Sequence, residues 1–337
     1  MGSNGTENGS VAKRRKLDGE MPKLSTTNDL LICCACGAQY EVTEENGLEE
    51  CRICEDPRQF VPGTGQAWTT LGKMQAATAD DGVSRKYKNV IERSAGDSKV
   101  WEMWTEPKFG IGQSARLIQT THGNILWDLV AYLDEDTIKL IQDMGGIKMI
   151  IISHPHFYTT WADWSSTFNV PVYTVRADAE WLNRQQHPTA DLRLLDNPVT
   201  EILPGINSII AGGHFPGSQV LHVAPPNTDI PTLFTADAIF PAQSAKNPDP
   251  AKPGQITYMF LWSIPNMIPL PPDEVLRIFC VLKPWDFKAT YGVMAKWSNC
   301  FEKKTDRRSL RERLLDSAQI AVRAMGREDH DIFRETI

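Results

Sequence analysis

The chain has no apolar run long enough to span a bilayer, so it is not organised around a membrane helix. Its N-terminus lacks the apolar core of a secretory signal. The sequons Asn4-Gly-Thr6 and Asn8-Gly-Ser10 are therefore read as unused. It has no excess of positive charge: the formal net charge is -7, which argues against a surface built to coat nucleic acid and leaves room only for local basic patches. Cysteine is scarce outside one segment. Of seven cysteines, five fall between Cys33 and Cys54. That clustering, without a signal, favours metal-bound thiolates in a reducing compartment over disulfides. Cys280 sits in an apolar helical pattern and reads as a small buried hydrophobe; Cys300 has no partner that can be named.

Residues 1–28 are polar, lack periodicity and read as a disordered tail. Within them Lys13, Arg14, Arg15 and Lys16 form a basic run like a monopartite nuclear localisation signal, implying an import receptor as partner and a nuclear or cytoplasmic location. Residues 29–62 follow as a small module. Cys33 and Cys36, fourteen residues, then Cys51 and Cys54 give two Cys-x2-Cys pairs. Each pair can wrap one side of a tetrahedral ion, so the segment reads as a zinc ribbon with a closed, structural Zn²⁺. Cys34 is the alternative to Cys33 as ligand, and the spacing favours Cys33. Asp56 to Gly65 reads as a connector, and 66–96 carries no clear pattern.

From Lys99 the elements alternate. Strands read at Lys99–Thr105, Ala115–Thr120 and Asn124–Trp127, with a turn at His122. A helix capped by Asp134 ends at Gly145-Gly146. Then Met149-Ile-Ile-Ile152 runs into Ser153-His154-Pro155-His156, an apolar core strand ending in two histidines with one residue between them. Strand ends are where rigid scaffolds place chemistry, so the pair reads as metal ligands. An aromatic-rich helix over Tyr158–Phe168 and a strand at Val170–Val175 follow. The second half adds strands at Asn207–Ala211 and Gln219–Val223 around a loop bearing His214. A strand at Thr232–Thr235 ends in Asp237. Helices read at Pro272–Leu282 and Asp306–Met325, with a strand at Lys288–Tyr291 between them. The alternation predicts an α/β fold. His222 reads as a structural histidine, His187 and His330 as surface residues, and Asp128 as support from a strand end.

Taken together, His154-Pro-His156, the loop Gly213-His214-Phe-Pro216-Gly217-Ser218 and the strand-end Phe234-Thr-Ala-Asp237 resemble the metallo-β-lactamase fold superfamily over roughly residues 101–297. The resemblance implies a four-layer αββα sandwich, here spanning 63–328 behind the ribbon, with 329–337 as a C-terminal tail. It implies His154, His156, His214 and Asp237 as ligands. The family's first motif usually continues with Asp-His, where this chain has Tyr158 and Thr159. A later histidine is replaced by Tyr291. These three positions would build a second metal site, so one pocket metal is expected rather than two.

Three imidazoles with an open position suit a catalytic Zn²⁺. The expected activity is mononuclear metal-dependent hydrolysis of a small ester, lactone, amide or thioester. Asp237 would complete the shell or accept a proton, and Tyr158 would donate to a developing oxyanion. Asp163, Tyr291 and Trp262 are further pocket candidates. The same ligands suit Fe²⁺, so an iron-dependent redox or dioxygenase-like enzyme is one alternative. A non-catalytic nuclear scaffold that retains the fold and its metal is another. A small-molecule substrate is expected, with no membrane partner; nucleic acid is disfavoured.

Overall fold

The computed structural model describes residues 21–226, 228–246, 249 and 254–337. The basic run Lys13–Lys16 lies outside the described residues. An N-terminal module comes first. Strands β1 (Leu30–Cys33), β2 (Gln39–Thr43) and β3 (Trp68–Thr70) form a three-stranded antiparallel sheet in the order β2-β1-β3, with a single helical turn α1 (Arg52–Glu55) carrying the second cysteine pair. Because β3 pairs with β1, this module extends to Thr70 rather than 62. Its upstream boundary also shifts, into the expected 1–28 tail. Ser25 N donates to Thr167 Oγ1 and Thr27 N to Asp163 Oδ1, so residues before 29 are held against the body of the protein.

After α2 (Leu71–Ala76) the chain builds a seven-stranded sheet in strict sequence order: β4 (Lys88–Arg93), β5 (Val100–Glu106), β6 (Ser114–Ile118), β7 (Ile125–Trp127), β8 (Met149–Ile151), β9 (Pro171–Val175) and β10 (Asp191–Leu195). The first four strands are antiparallel; β7 to β10 are parallel. Parallel neighbours need crossovers. Helices α3 (Glu135–Asp143) and α4 (Trp161–Phe168) supply two of them. The Asp134 side chain accepts from Thr137 N and caps α3.

The second sheet starts with β11 (Val199–Leu203), β12 (Ile206–Ile210), β13 (Gln219–Val223) and β14 (Thr232–Phe234). Two short hairpin pairs follow: β15 (Phe240–Pro241) with β16 (Tyr258–Met259), and β17 (Leu261–Ser263) with β18 (Ile268–Pro269). Helix α5 (Pro272–Leu282), β19 (Ala289–Tyr291), β20 (Asn299–Phe301) and helix α6 (Leu310–Ala324) complete it. The sheet order is β11-β12-β13-β14-β19-β20.

Side-chain alternation explains why the two sheets stack. On β7, Ile125 and Trp127 face the second sheet while Leu126 faces the helices; on β8, Met149 and Ile151 face inward and Ile150 outward. The inner set meets Ile206, Leu221, Phe234 and Tyr291 from the other sheet. Helices α3 and α4 cover the outer face of the first sheet, α5 and α6 that of the second. The result is the four-layer αββα sandwich, preceded by the four-cysteine module.

Three surface assignments change. Cys280 is exposed, not buried, because α5 turns Val275, Ile278, Phe279 and Leu282 into the core instead. His330 is buried, its Nε2 2.9 Å from Asp273 Oδ1. The segment after 329 is docked, since Ile332 fills the core under α6. No helix among the described residues is long and apolar enough to cross a membrane.

Candidate metal centre

Three strand ends converge at one edge of the sandwich. His154 and His156 follow β8, His214 tips the loop between β12 and β13, and Asp237 follows β14. The backbone ties these loops together across the sheets: Gln219 N donates to Ser153 O at 3.0 Å, and the Gln219 amide to Ile152 O at 2.7 Å. The His214 loop is shaped by Gly212 and Gly213, both at positive φ (65° and 87°), which glycine adopts without strain. Gly217 N donates to Asp178 Oδ1 at 2.7 Å, and a Cβ there would meet that carboxylate at 2.8 Å.

His154, His156, His214 and Asp237 offer ligand atoms that all lie within 4.8 Å of one another. Asp237 Oδ2 is 3.3 Å from His154 Nε2, 3.9 Å from His156 Nδ1 and 3.7 Å from His214 Nε2, and His214 Nε2 is 3.1 Å from His156 Nδ1. Four atoms at zinc-ligand distance from one ion stand about 3.3 Å apart at tetrahedral angles. The separations therefore match an ion-sized tetrahedron. The cluster is buried, yet His154 Nε2 and Asp237 Oδ1 have no hydrogen-bond partner among the described residues. Buried polar atoms left unpaired are costly, and an ion among them would remove that cost. In His154 and His214 the opposite ring nitrogen is held as ligand histidines require, whereas His156 Nε2 has no partner among the described residues. His154 Nδ1 is 2.8 Å from Ser153 Oγ, and His214 Nδ1 is 2.6 Å from the Trp262 carbonyl oxygen.

Electrostatics favour the deprotonated forms that a metal needs. Burial pushes His156 down to about 4, despite the pull of Asp237. Burial, with the charge of His156, pushes His214 well below the usual histidine range. Burial works against the Asp237 carboxylate, but the imidazoles of His154, His156 and His214 close around Oδ2 outweigh it and hold its pKa below the usual carboxylate range. Asp128 N donates to Ile151 O, and its Oδ1 accepts from Ser153 N at 2.7 Å, bracing the strand end that delivers His154.

Other expected site residues lie elsewhere. Tyr158 is buried with its hydroxyl donating to Asp178 O and accepting from Thr174 Oγ1, so it is committed to packing rather than free for an oxyanion. Asp163 is paired with Arg184 at 2.8 Å and bonded to Gln39, facing the N-terminal module and not the cluster. Tyr291 lies between the sheets, stacked on Phe234 and bonded to Ser94. Trp262 does reach the centre, through its carbonyl. Two residues missed in the sequence also reach it. Arg58 donates to His214 O at 3.2 Å and packs 3.7 Å from the Phe215 ring centre, and Gln59 places its amide nitrogen 3.5 Å from His156 Nδ1. Both come from the loop between α1 and β3 of the four-cysteine module, a stretch with no motif or periodicity to mark it.

The second cluster is Cys33, Cys36, Cys51 and Cys54, all buried. Cys33 Sγ is 3.6 Å from Cys54 Sγ and Cys36 Sγ is 3.5 Å from Cys51 Sγ, near the roughly 3.8 Å expected of thiolates around one zinc. Hydrogen bonds within the set hold the Cys33 thiol well below its usual range and push those of Cys36 and Cys54 above it. Cys34 is outside the cluster. The two centres are bridged by Gln113, whose amide nitrogen donates to Cys36 O and to His156 O.

No protein-family model matches the chain. A curated relative, the uncharacterised protein YmaE of Bacillus subtilis, is 35% identical over 265 residues, covering 79% of this chain and 88% of its own. Solved structures similar to this one include a B3 metallo-β-lactamase with an active-site glutamic acid (16% identity, TM-score 0.44, 71% of this chain and 91% of that one). They also include the metallo-β-lactamase FIM-1 from Pseudomonas aeruginosa in its mono-zinc form (14%, 0.47, 69% and 96%). An N-acyl homoserine lactone hydrolase with product at its catalytic metal centre matches over a smaller part (19%, 0.32, 41% and 68%).

Proposed function

The chain belongs to the family of Bacillus subtilis YmaE, and from that premise we propose that it is a mononuclear metal-dependent hydrolase of small esters, lactones, amides or thioesters. YmaE is itself uncharacterised, so the reading rests on the site. The observation that carries it is the buried cluster of three imidazoles and one carboxylate with ion-sized separations. Among the described residues the other such cluster is the cysteine set, which would hold a separate structural zinc in the module.

Zn²⁺ bound by His154, His156 and His214 would supply Lewis acidity and lower the pKa of a coordinated water toward about 7. The chain's own residues do the rest. The Trp262 carbonyl fixes the tautomer of His214, Ser153 orients the ring of His154, and Asp237 offers a carboxylate beside all three rings. Its unpaired Oδ1 is the atom placed to take a proton. The test is hydrolysis of a chromogenic model ester by metal-loaded protein. His154→Ala and Asp237→Asn should each lower kcat/KM by at least a hundredfold, His154→Ala with loss of one equivalent of metal. Unchanged activity in both would remove the reading.

Imidazole and carboxylate donors also suit Fe²⁺. Elemental analysis of the purified protein, together with oxygen consumption, distinguishes the iron-dependent redox alternative: iron in the pocket with oxygen uptake would replace hydrolysis as the function.

A further inference from the structure

We propose that Gln59 is a working part of the metal centre: its side-chain amide is the hydrogen-bond donor for an oxygen of the substrate's carbonyl or carboxylate. The inference rests on the hydrolase reading for its chemistry but on separate observations for its geometry. Gln59 lies five residues after Cys54, in the loop that connects α1 to β3 within the four-cysteine module, and is buried. The connector is fixed around it. Gln59 N donates to Asp56 O at 2.8 Å, and the Asn266 amide nitrogen donates to both Pro57 O and Gln59 O. Arg58, beside it, is paired to Asp56 and bonded to His214 O. A side chain on a segment so held is pre-organised rather than mobile.

The partner of the amide is what makes the position informative. Gln59 Nε2 lies 3.5 Å from His156 Nδ1, its hydrogen-bond partner among the described residues. That same Nδ1 faces the ligand cluster, 3.1 Å from His214 Nε2 and 3.9 Å from Asp237 Oδ2. A ring nitrogen whose lone pair is given to a metal cannot also accept from an amide. With the centre loaded, the Gln59 NH₂ group therefore needs another acceptor, since a buried donor without one costs about 1–3 kcal/mol. An oxygen placed in the same volume meets that need. Such a donor strengthens its bond as charge builds on a carbonyl oxygen. It takes the role that Tyr158, with its hydroxyl committed to Asp178 and Thr174, does not fill. It also gives the four-cysteine module a catalytic reason to be joined to the sandwich.

The experiment uses the full-length zinc-loaded protein and acetate as probe, with binding measured by calorimetry, in wild type, Gln59→Ala and the near-isosteric Gln59→Met. Metal content and melting temperature are measured alongside. The expected result is acetate bound about tenfold more weakly by both variants at unchanged metal content, with kcat for the model ester falling more than KM rises. Acetate affinity within twofold of wild type overturns the proposal, as does failure of the wild type to bind acetate. Loss of pocket metal from both variants also overturns it, in favour of a purely structural hold on His156. None of these outcomes touches the hydrolase reading, which stands or falls on His154→Ala and Asp237→Asn.

Discussion

Asp128 shows how a single buried group sets a pH dependence. It sits at φ 61°, 1% exposed, with Oδ1 bonded to Ser153 N and Oδ2 without a partner among the described residues. Burial pushes its pKa from 3.8 up to about 7, against the pull of His154 and of Ser153. A folded-state pKa above the unfolded one means that the folded protein binds more protons between these values. The stability contribution is full below pH 3.8 and is lost as pH rises through about 7. In metal-stripped protein, the stability of wild type minus that of Asp128→Asn should therefore decrease across this window, by on the order of 4 kcal/mol at most. Denaturant melts at stepped pH measure it, and a flat difference would show that Asp128 stays ionised. The clustering of His154, His156, His214 and Asp237 was readable from sequence because a metal site demands particular atoms, and strand ends are where a sheet can present them. Tyr158 and Tyr291 were not readable in the same way. Which way a tyrosine hydroxyl turns is decided by Thr174, Asp178 and Ser94, residues distant in the chain. Gln59 carried no signal at all, since one amide on an aperiodic connector matches no spacing rule.

Helices and core strands were legible where their signals are local. Pro272 and Asp273 start α5 and Leu282 ends it, as the sequence pattern implies. For α6 the start lies at Leu310 rather than near Asp306, because Ser309 and Glu312 form a reciprocal capping box. Ser309→Ala removes the bond to Glu312 N and should cost about 1 kcal/mol, read as a lower midpoint in denaturant with unchanged m-value. The same helix buries Leu310, Leu314, Ala318 and Val322 against the second sheet, so the loss should leave the fold intact. Edge strands were the illegible ones. β4 carries Lys88, Glu92 and Arg93, and β10 alternates exposed Asp191 and Arg193 with Leu192 and Leu194. Charge on an edge strand blocks pairing with other chains, and it also hides the strand from a reader who looks for apolar runs.

The four-cysteine module and the sandwich read as separate domains in sequence because nothing local announces their docking. The structure joins them through a buried network. Arg184 donates to Asp163 Oδ1 and to Gln39 Oε1, Gln39 donates to Asp163 Oδ2, and Gln39 N donates to Thr159 O. Arg184 and Asp163 are 5% and 0% exposed at their side chains. Removing one member of such a pair leaves the other charge buried and unpaired, which typically costs about 3–5 kcal/mol. Asp163→Ala is thus expected to destabilise the whole chain by about that amount. Because the network sits between the module and α4, zinc loaded onto the four cysteines should also pass to a chromogenic chelator several times faster in the variant than in wild type. The pocket ligands do not touch Asp163, so kcat for the model ester should stay within about twofold wherever the variant is folded. A large fall in kcat with normal stability would instead return Asp163 to the pocket, where the sequence first placed it. Zinc release at the wild-type rate would mean that the module is held by its own metal and by Gln113 rather than by this network.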